Sequence, residues 1–339
     1  MAGAATGRRR TVPRLTSADV ARESGVSRTT VSYVLNGKTG VTIPESTRQR
    51  VRDAAARLGY TPSAAARTLR SGRSDLVLCV LPNWTIGPVI DTLLDHLTTR
   101  LADRGLSVLV HQSRGPRPLS ELWRAVTPRV VLGLAPFAEE DERAMRQAGI
   151  QVVGSALDEI THPGTFSVPQ TRIGQLQVEH LAERGHRVMG YAAPSDDRLA
   201  AFADRRLAGA AQGCEQLGLP APEVQVVDLD VASAVAAVRS WRAGAEPVTA
   251  IAAYNDEVAL AVLSGLRAEG LRTPQDVAVI GVDDIPAARL AAPALTTIWQ
   301  AIDAQARYLA DAVLAALDDS VEPPAQPDDV FHVIARDST

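Results

Sequence analysis

An all-α head followed by a two-lobed α/β core with parallel sheets is the fold class that this 339-residue sequence predicts. Three observations point to it. Residues 1–72 carry 13 basic and 4 acidic side chains and the remainder 22 and 35, so a basic unit precedes an acidic one. Within residues 16–58 apolar positions recur at helical spacing between capping residues. From Leu76 onward, short apolar runs alternate with amphipathic stretches, the strand–helix–strand order of parallel sheets covered on both faces.

The head contains three helices by this reading. Thr16 caps the first, with Asp19 at N3 and Leu15 stapled against Val20. Ser27 caps the second, with Val26 against Val31, and Ser24-Gly25-Val26 is the short glycine-containing link of a helix-turn-helix. The third runs from Pro44, a favourable first helical residue, to Leu58, with Gly59 closing it. On the second helix Val31, Val34 and Leu35 share one side, while Arg28, Thr29, Ser32, Tyr33 and Asn36 share the other. A merely solvated face would be rich in Glu and Lys; this one carries side chains able to hydrogen-bond base edges and phosphates. Next, "TPSAAARTLRSG" is helix-prone but too short to hold a helix alone in water.

Core strands are expected at 76–81, 106–110, 129–134, 150–154, 187–193, 224–228, 248–254 and 277–282, with helical patterns such as 89–101, 173–183 and 258–269 between them. So many strands call for two lobes.

Composition narrows the function classes. Hydrophobic content of 46% and charged content of 22% are those of a globular domain, not a disordered chain. No run of about 18 apolar residues suggests a membrane span, and the N-terminal "GRRRTVPRLTSADV" lacks the apolar region of a secretory signal. Cys79 and Cys214 have no metal-ligand or redox spacing, so reduced thiols in the cytoplasm are expected. Gly37-Lys38-Thr39 resembles the end of a phosphate-binding loop, but Ser32 stands where that motif needs glycine. His180 and His186 are too far apart for a one-face metal pair, and no nucleophile elbow or dinucleotide fingerprint follows a strand. No catalytic constellation, cofactor or metal is expected.

"TSADVARESGVSRTTVSYVLNG", then "GYTPSAAARTL", "AAYNDEVALAVLSGL", "VAVIGVDD" and "LTTIWQ", in this order, resemble the lac and galactose repressor family across essentially the whole chain. The resemblance implies a flexible basic tail at 1–14, a helix-turn-helix domain at 15–60, a hinge helix and linker at 61–74, and an effector-binding core at 75–339. That core would be similar to periplasmic sugar-binding proteins, with lobe one at about 75–164 and 294–320 and lobe two at about 165–293 and 321–339. The matched positions put Arg28, Thr29 and Tyr33 in the major groove and Ser27, Thr30 and Asn36 on phosphates. Thr16 and Ser32 join that DNA-contact set. Leu69 matches the leucine wedged into the minor groove, with Ala66 and Arg67 beside it. In the core Arg206, Asn255 and Asp283 match effector-cleft positions, and Asn83 and Trp84 follow the first core strand.

Three departures bear on the effector. Gly154-Ser155 stand where sugar-responsive relatives carry an acidic residue, Pro169-Gln170 replace a common Asp or Asn, and no aromatic stands at Asp228 to Asp230. The effector is therefore a small molecule with carbohydrate as one candidate class. The expected protein is a ligand-responsive transcription regulator, a repressor working as a homodimer on a near-palindromic operator. The C-terminal "FHVIARDST" has no leucine heptads, so tetramerisation through a terminal coiled coil is not expected. The competing reading is a two-lobed solute-binding protein, which would carry a signal peptide and no DNA-reading head.

Overall fold

The computed structural model describes residues 15–35, 41–60, 74–158, 165–327 and 330–339. The chain divides into two compact units, Met1–Ser74 and Asp75–Thr339. The expected roles of Asn36, Ala66, Arg67 and Leu69, and the hinge helix, lie outside the described residues.

In the first unit, α1 (Ser17–Ser24), α2 (Arg28–Leu35) and α3 (Glu45–Leu58) close around one small core. Val20, Ala21, Val31, Val34, Val51, Ala54 and Ala55 are buried there, with Val26, Leu35, Ile43, Leu58 and Tyr60 packed against them. The helix ends are fixed locally. The Asp19 carboxylate accepts from the Thr16 N–H at 3.0 Å and from the Thr16 hydroxyl at 2.8 Å. Ser27 Oγ accepts from the Thr30 N–H at 3.0 Å. Gly25 and Gly59 adopt φ of +68° and +64°, the left-handed turn that ends a helix and that glycine enters without a Cβ penalty. Two details differ from expectation. Pro44 is the N-cap of α3 rather than its first helical residue. Leu15 is exposed and lies outside the core cluster, so it makes no staple there.

The second unit holds two doubly wound sheets. Sheet one has the order β2-β1-β3-β4-β5, all parallel: β1 (Leu76–Leu81), β2 (Ser107–Gln112), β3 (Val130–Gly133), β4 (Gln151–Leu157) and β5 (Thr165–Val168). Helices α4 (Pro88–Ala102), α5 (Leu119–Val126) and α6 (Glu139–Gln147) connect its strands. Sheet two has the order β11-β10-β9-β8-β6-β7. Its strands are β6 (Met189–Pro194), β7 (Glu223–Val227), β8 (Ala250–Ala253), β9 (Ala278–Val282), β10 (Thr296–Gln300) and β11 (Phe331–Ile334), with only β11 antiparallel. Helices α7 (Gln170–Glu183), α8 (Ala200–Gln216), α9 (Val231–Arg242), α10 (Asp256–Ala268) and α11 (Pro286–Leu290) accompany this sheet. The strands β3, β8 and β9 are buried along their whole length, as sheets covered on both faces require.

The lobe division differs from the sequence expectation. Strand β5, placed in lobe two by sequence, pairs with β4 in sheet one; β10, placed in lobe one, pairs with β9 in sheet two. Helix α12 (Ile302–Leu317) then returns to lobe one, where Ala306, Leu309 and Val313 join the core of sheet one. The chain thus crosses between lobes three times: before α7, before α12 and before β11.

Helices α7 and α8 pack at glycine contacts. A Cβ on Gly174 would stand 1.9 Å from the Arg206 carbonyl oxygen, and one on Gly209 1.9 Å from that of Thr171. Only hydrogen at both positions lets the helices approach so closely, and that approach sets where Arg206 projects.

Candidate functional site

In open parallel sheets, ligands bind beyond the carboxyl ends of the strands, where the strand order reverses. Sheet one reverses between β1 and β3, sheet two between β6 and β8. The loops leaving β1, β6, β8 and β9 carry the residues that meet there. They line a cleft enclosing about 830 Å³ including its open mouth.

Arg206 is the best-held polar group of this cleft. It is 4% exposed; its Nε donates to Gln170 Oε1 at 2.8 Å and its Nη1 to the Tyr254 carbonyl at 2.7 Å. Its guanidinium carbon lies 4.8 Å from the centroid of the Tyr254 ring, a cation–π contact, and its Nη2 stands 3.9 Å from Asp283 Oδ1. Asp283 Oδ1 also accepts from Gln300 Nε2 at 2.6 Å. Burial pushes the Asp283 carboxyl up to about 6, against the lowering effects of Arg206 and Gln300. Its backbone sits at φ +110°, strained for a residue with a Cβ, at a typical cost of about 1–3 kcal/mol. The Asp283 N–H donates to the Ile298 carbonyl at 2.8 Å, so sheet two holds the residue in place.

Below this layer Asp256 is fully buried. Its carboxyl oxygens accept from Thr297 Oγ1 at 2.6 Å and from the Ile285 N–H at 2.9 Å, tying α10 to the loop after β9. Desolvation raises its carboxyl to about 8, and the neighbouring Asp283 and Asp284 add to the rise. Gly281 leaves it room: a Cβ there would lie 2.1 Å from Asp256 Oδ1.

Four of the five cleft residues expected from sequence, Trp84, Arg206, Asn255 and Asp283, line this space together. Asn255 has two roles, because its Oδ1 also caps α10 by accepting the Val258 N–H at 3.0 Å. Asn83 is corrected: it is exposed and is not among the lining residues, since the turn after β1 directs Trp84 inward instead. Sequence reasoning missed Thr85, Tyr254, Glu257, Gln300 and Gln305, and the apolar wall that Phe202 and Leu199 form with Trp84. Gln300 ends a strand, so the strand-end rule could have found it. Ser155 and Gln170, noted as departures from the sugar-responsive pattern, both line the cleft. Such a set can orient a polar small molecule from one side while covering an apolar face on the other.

On the head, Ser27, Arg28 and Thr29 are exposed at the start of α2, while Val31 and Val34 are buried. Thr30, Ser32 and Tyr33 are half-buried, and the hydroxyls of Ser27 and Thr30 lie 2.9 Å apart in a mutual hydrogen bond. Thr16 is exposed, its hydroxyl engaged by Asp19. Among the described residues no group of His, Cys, Asp or Glu could hold a metal, and no helix is long and apolar enough to cross a membrane.

Residues 16–63 match the family model of bacterial regulatory proteins, lacI family, and residues 178–339 match that of a periplasmic binding protein-like domain. The HTH-type transcriptional regulator GntR of Pseudomonas aeruginosa is 31% identical over 97% of both chains. The HTH-type transcriptional regulator CelR of Thermobifida fusca is 29% identical over 94% of this chain and 96% of its own. Among solved structures, a CelR–cellobiose complex superposes with a TM-score of 0.63 at 26% identity, covering 96% of this chain and 100% of that one. The lac repressor dimer bound to operator and an anti-inducer superposes with a TM-score of 0.77 at 24% identity, covering 96% and 98%, and shares the fold.

Proposed function

The chain belongs to the lacI family of bacterial regulatory proteins, and from that premise we infer that it is a repressor whose operator binding answers to a small molecule held between the lobes of its core. It is a ligand-responsive, sequence-specific DNA-binding regulator. The observation that carries the ligand reading is the convergence of Arg206, Asn255 and Asp283 of lobe two with Trp84 and Ser155 of lobe one on one cleft beyond the strand ends of both sheets. An effector shifts the core only by its differential affinity for the two lobe arrangements, and contacts from both lobes are what make that difference possible.

On the head, Arg28, Thr29 and Tyr33 read the major groove, Ser27 and Thr30 hold phosphates, and Thr16 and Ser32 belong to the same DNA-contact set. The exposure of Arg28 and Thr29 over a buried apolar face supports this. One head reads few base pairs, so the protein works as a homodimer on a near-palindromic operator. The exposed Leu109 and Val110 on the edge strand β2 support a partner surface there. In the cleft the carboxylates of Asp283 and Glu257 act as acceptors, and the protein is a regulator rather than an enzyme working in the cytoplasm. Its effector is a hydroxyl-rich or otherwise polar molecule; the cellobiose held by the CelR relative makes carbohydrates the first class to screen.

The test selects bound sequences from random DNA, then titrates the operator complex with metabolites for parent, Arg206→Ala and Asp283→Ala proteins. Both variants should keep the operator and need much more effector to respond. Unchanged midpoints in both would move the ligand elsewhere, and failure to select any sequence would favour a solute-binding protein.

A further inference from the structure

The cleft is spanned by contacts that belong to the protein alone. Asp196 follows β6 in lobe two, and Thr85 follows β1 in lobe one. Thr85 Oγ1 donates to Asp196 Oδ2 at 2.7 Å across the gap. Arg198 fixes the acceptor from its own lobe. Its Nε donates to Asp196 Oδ1 at 2.8 Å, its Nη2 to Oδ2 at 2.6 Å, and its backbone N–H to Oδ1 at 3.0 Å. These hydrogen bonds, with that from Thr85, hold the Asp196 carboxyl well below the usual carboxylate range, so it stays ionised as an acceptor.

Beside the polar contact lies an apolar one. Trp84 of lobe one meets Phe202 of lobe two edge to face, ring centroids 4.5 Å apart. The residues that make these bridges, or stand next to them, also wall the cleft: Trp84 and Thr85 on one side, Leu199 and Phe202 on the other. A molecule entering the cleft must therefore part the lobes at this seam or pass beside it.

We propose that Thr85, Asp196 and Arg198 form a clasp that closes the effector cleft through side chains of both lobes and gates exchange of the effector. The proposal rests on reading the cleft as the effector site. Arg198 preorganises the Asp196 carboxylate, so closing orders only the Thr85 hydroxyl, and the Trp84–Phe202 contact closes with it. The clasp biases the lobes toward closure, and an effector then acts by what it adds to or subtracts from that bias. Thr85 and Asp196 are thus positioning residues whose loss changes lobe opening rather than the polar contacts at Arg206 and Asp283.

The test measures lobe separation with no effector present. Spin labels go on exposed positions of the two lobes, Arg114→Cys and Glu215→Cys, in full-length chain diluted with unlabelled chain. The native thiols Cys79 and Cys214 are buried, with burial pushing both up, and take no label. The parent should give one short, narrow distance distribution. Thr85→Val, which keeps the shape and removes the hydroxyl, should raise the open-to-closed ratio roughly tenfold, the scale of a hydrogen bond to a charged acceptor. Thr85→Ser should restore the parental distribution, and Asp196→Ala should open the lobes as Thr85→Val does. A parent already broad, a Thr85→Val distribution equal to the parent's, or a Thr85→Ser protein as open as Thr85→Val each overturns the clasp. None of these outcomes touches the effector reading, which stands or falls on the Arg206→Ala and Asp283→Ala titrations.

Discussion

Adding one methyl group at Gly174 tests how the cleft is built. Its Cβ would stand 1.9 Å from the Arg206 carbonyl oxygen and 2.7 Å from the Ala210 nitrogen, both backbone atoms that no rotamer change can move. Non-bonded heavy atoms rest near roughly 3.5 Å, so α7 and α8 must part by about an ångström or more. Arg206 holds Gln170 and Tyr254 at 2.8 and 2.7 Å, and that displacement carries its donors beyond hydrogen-bond reach. Overpacking of this kind costs about 1–3 kcal/mol. At about 2–4 °C per kcal/mol for a domain of this size, melting should fall by several degrees. Gly174→Ala should therefore lower the urea midpoint of the core and raise the effector concentration needed for operator release, while the head alone binds DNA as before. Gly115→Ala is the control, since nothing lies within 4 Å of its Cβ and its φ is not positive. A Gly174→Ala protein with parental midpoints in both assays would refute the claim that this helix contact positions Arg206.

Three further outcomes are expected. With Asp256 near 8 in the folded core and near 4 unfolded, the native state holds the extra proton between those values, so its contribution to stability is lost as pH rises from about 4 to about 8. Asp256→Asn should flatten the profile of urea midpoint against pH across that window, and identical slopes in parent and variant would count against a buried protonated carboxyl. Leu109→Asp with Val110→Asp places charge on the exposed edge strand β2; sedimentation should show dimer shifting to monomer, and an unchanged dimer would place the interface elsewhere. Arg28→Ala should relax base preference at one operator position and cost roughly 1–3 kcal/mol there, whereas a uniform loss over all sequences would mean phosphate contact only.

The sequence made the head legible because its determinants are local: a cap, a glycine turn and a helical period each act within a few residues. The same holds for Asn255 and Asp283, which stand within two residues of the ends of buried strands, and the strand-end rule needs no partner to be known. What failed was non-local. A short strand such as β10 has the same composition whichever sheet receives it, and its pairing of Thr296 with Ile280 settles the lobe. Asn83 and Trp84 are neighbours in one loop, and the turn that sends one inward and the other to solvent leaves no periodic trace. Phe202 reaches the cleft from within α8, with nothing in its own neighbourhood to mark it.

The glycines sharpen the same distinction. Gly174 and Gly281 sit inside a helix and a strand, where glycine is locally unfavourable, so the sequence shows that something requires them without showing what. The structure supplies the requirement in both cases as a polar atom of the cleft's support: the Arg206 carbonyl oxygen for one, Asp256 Oδ1 for the other. Gly174 therefore stands against the backbone of Arg206, and Gly281 against Asp256, which ties α10 to the loop that carries Asp283. A glycine against the local rule is a pointer to close backbone approach, and here both pointers lead to the cleft.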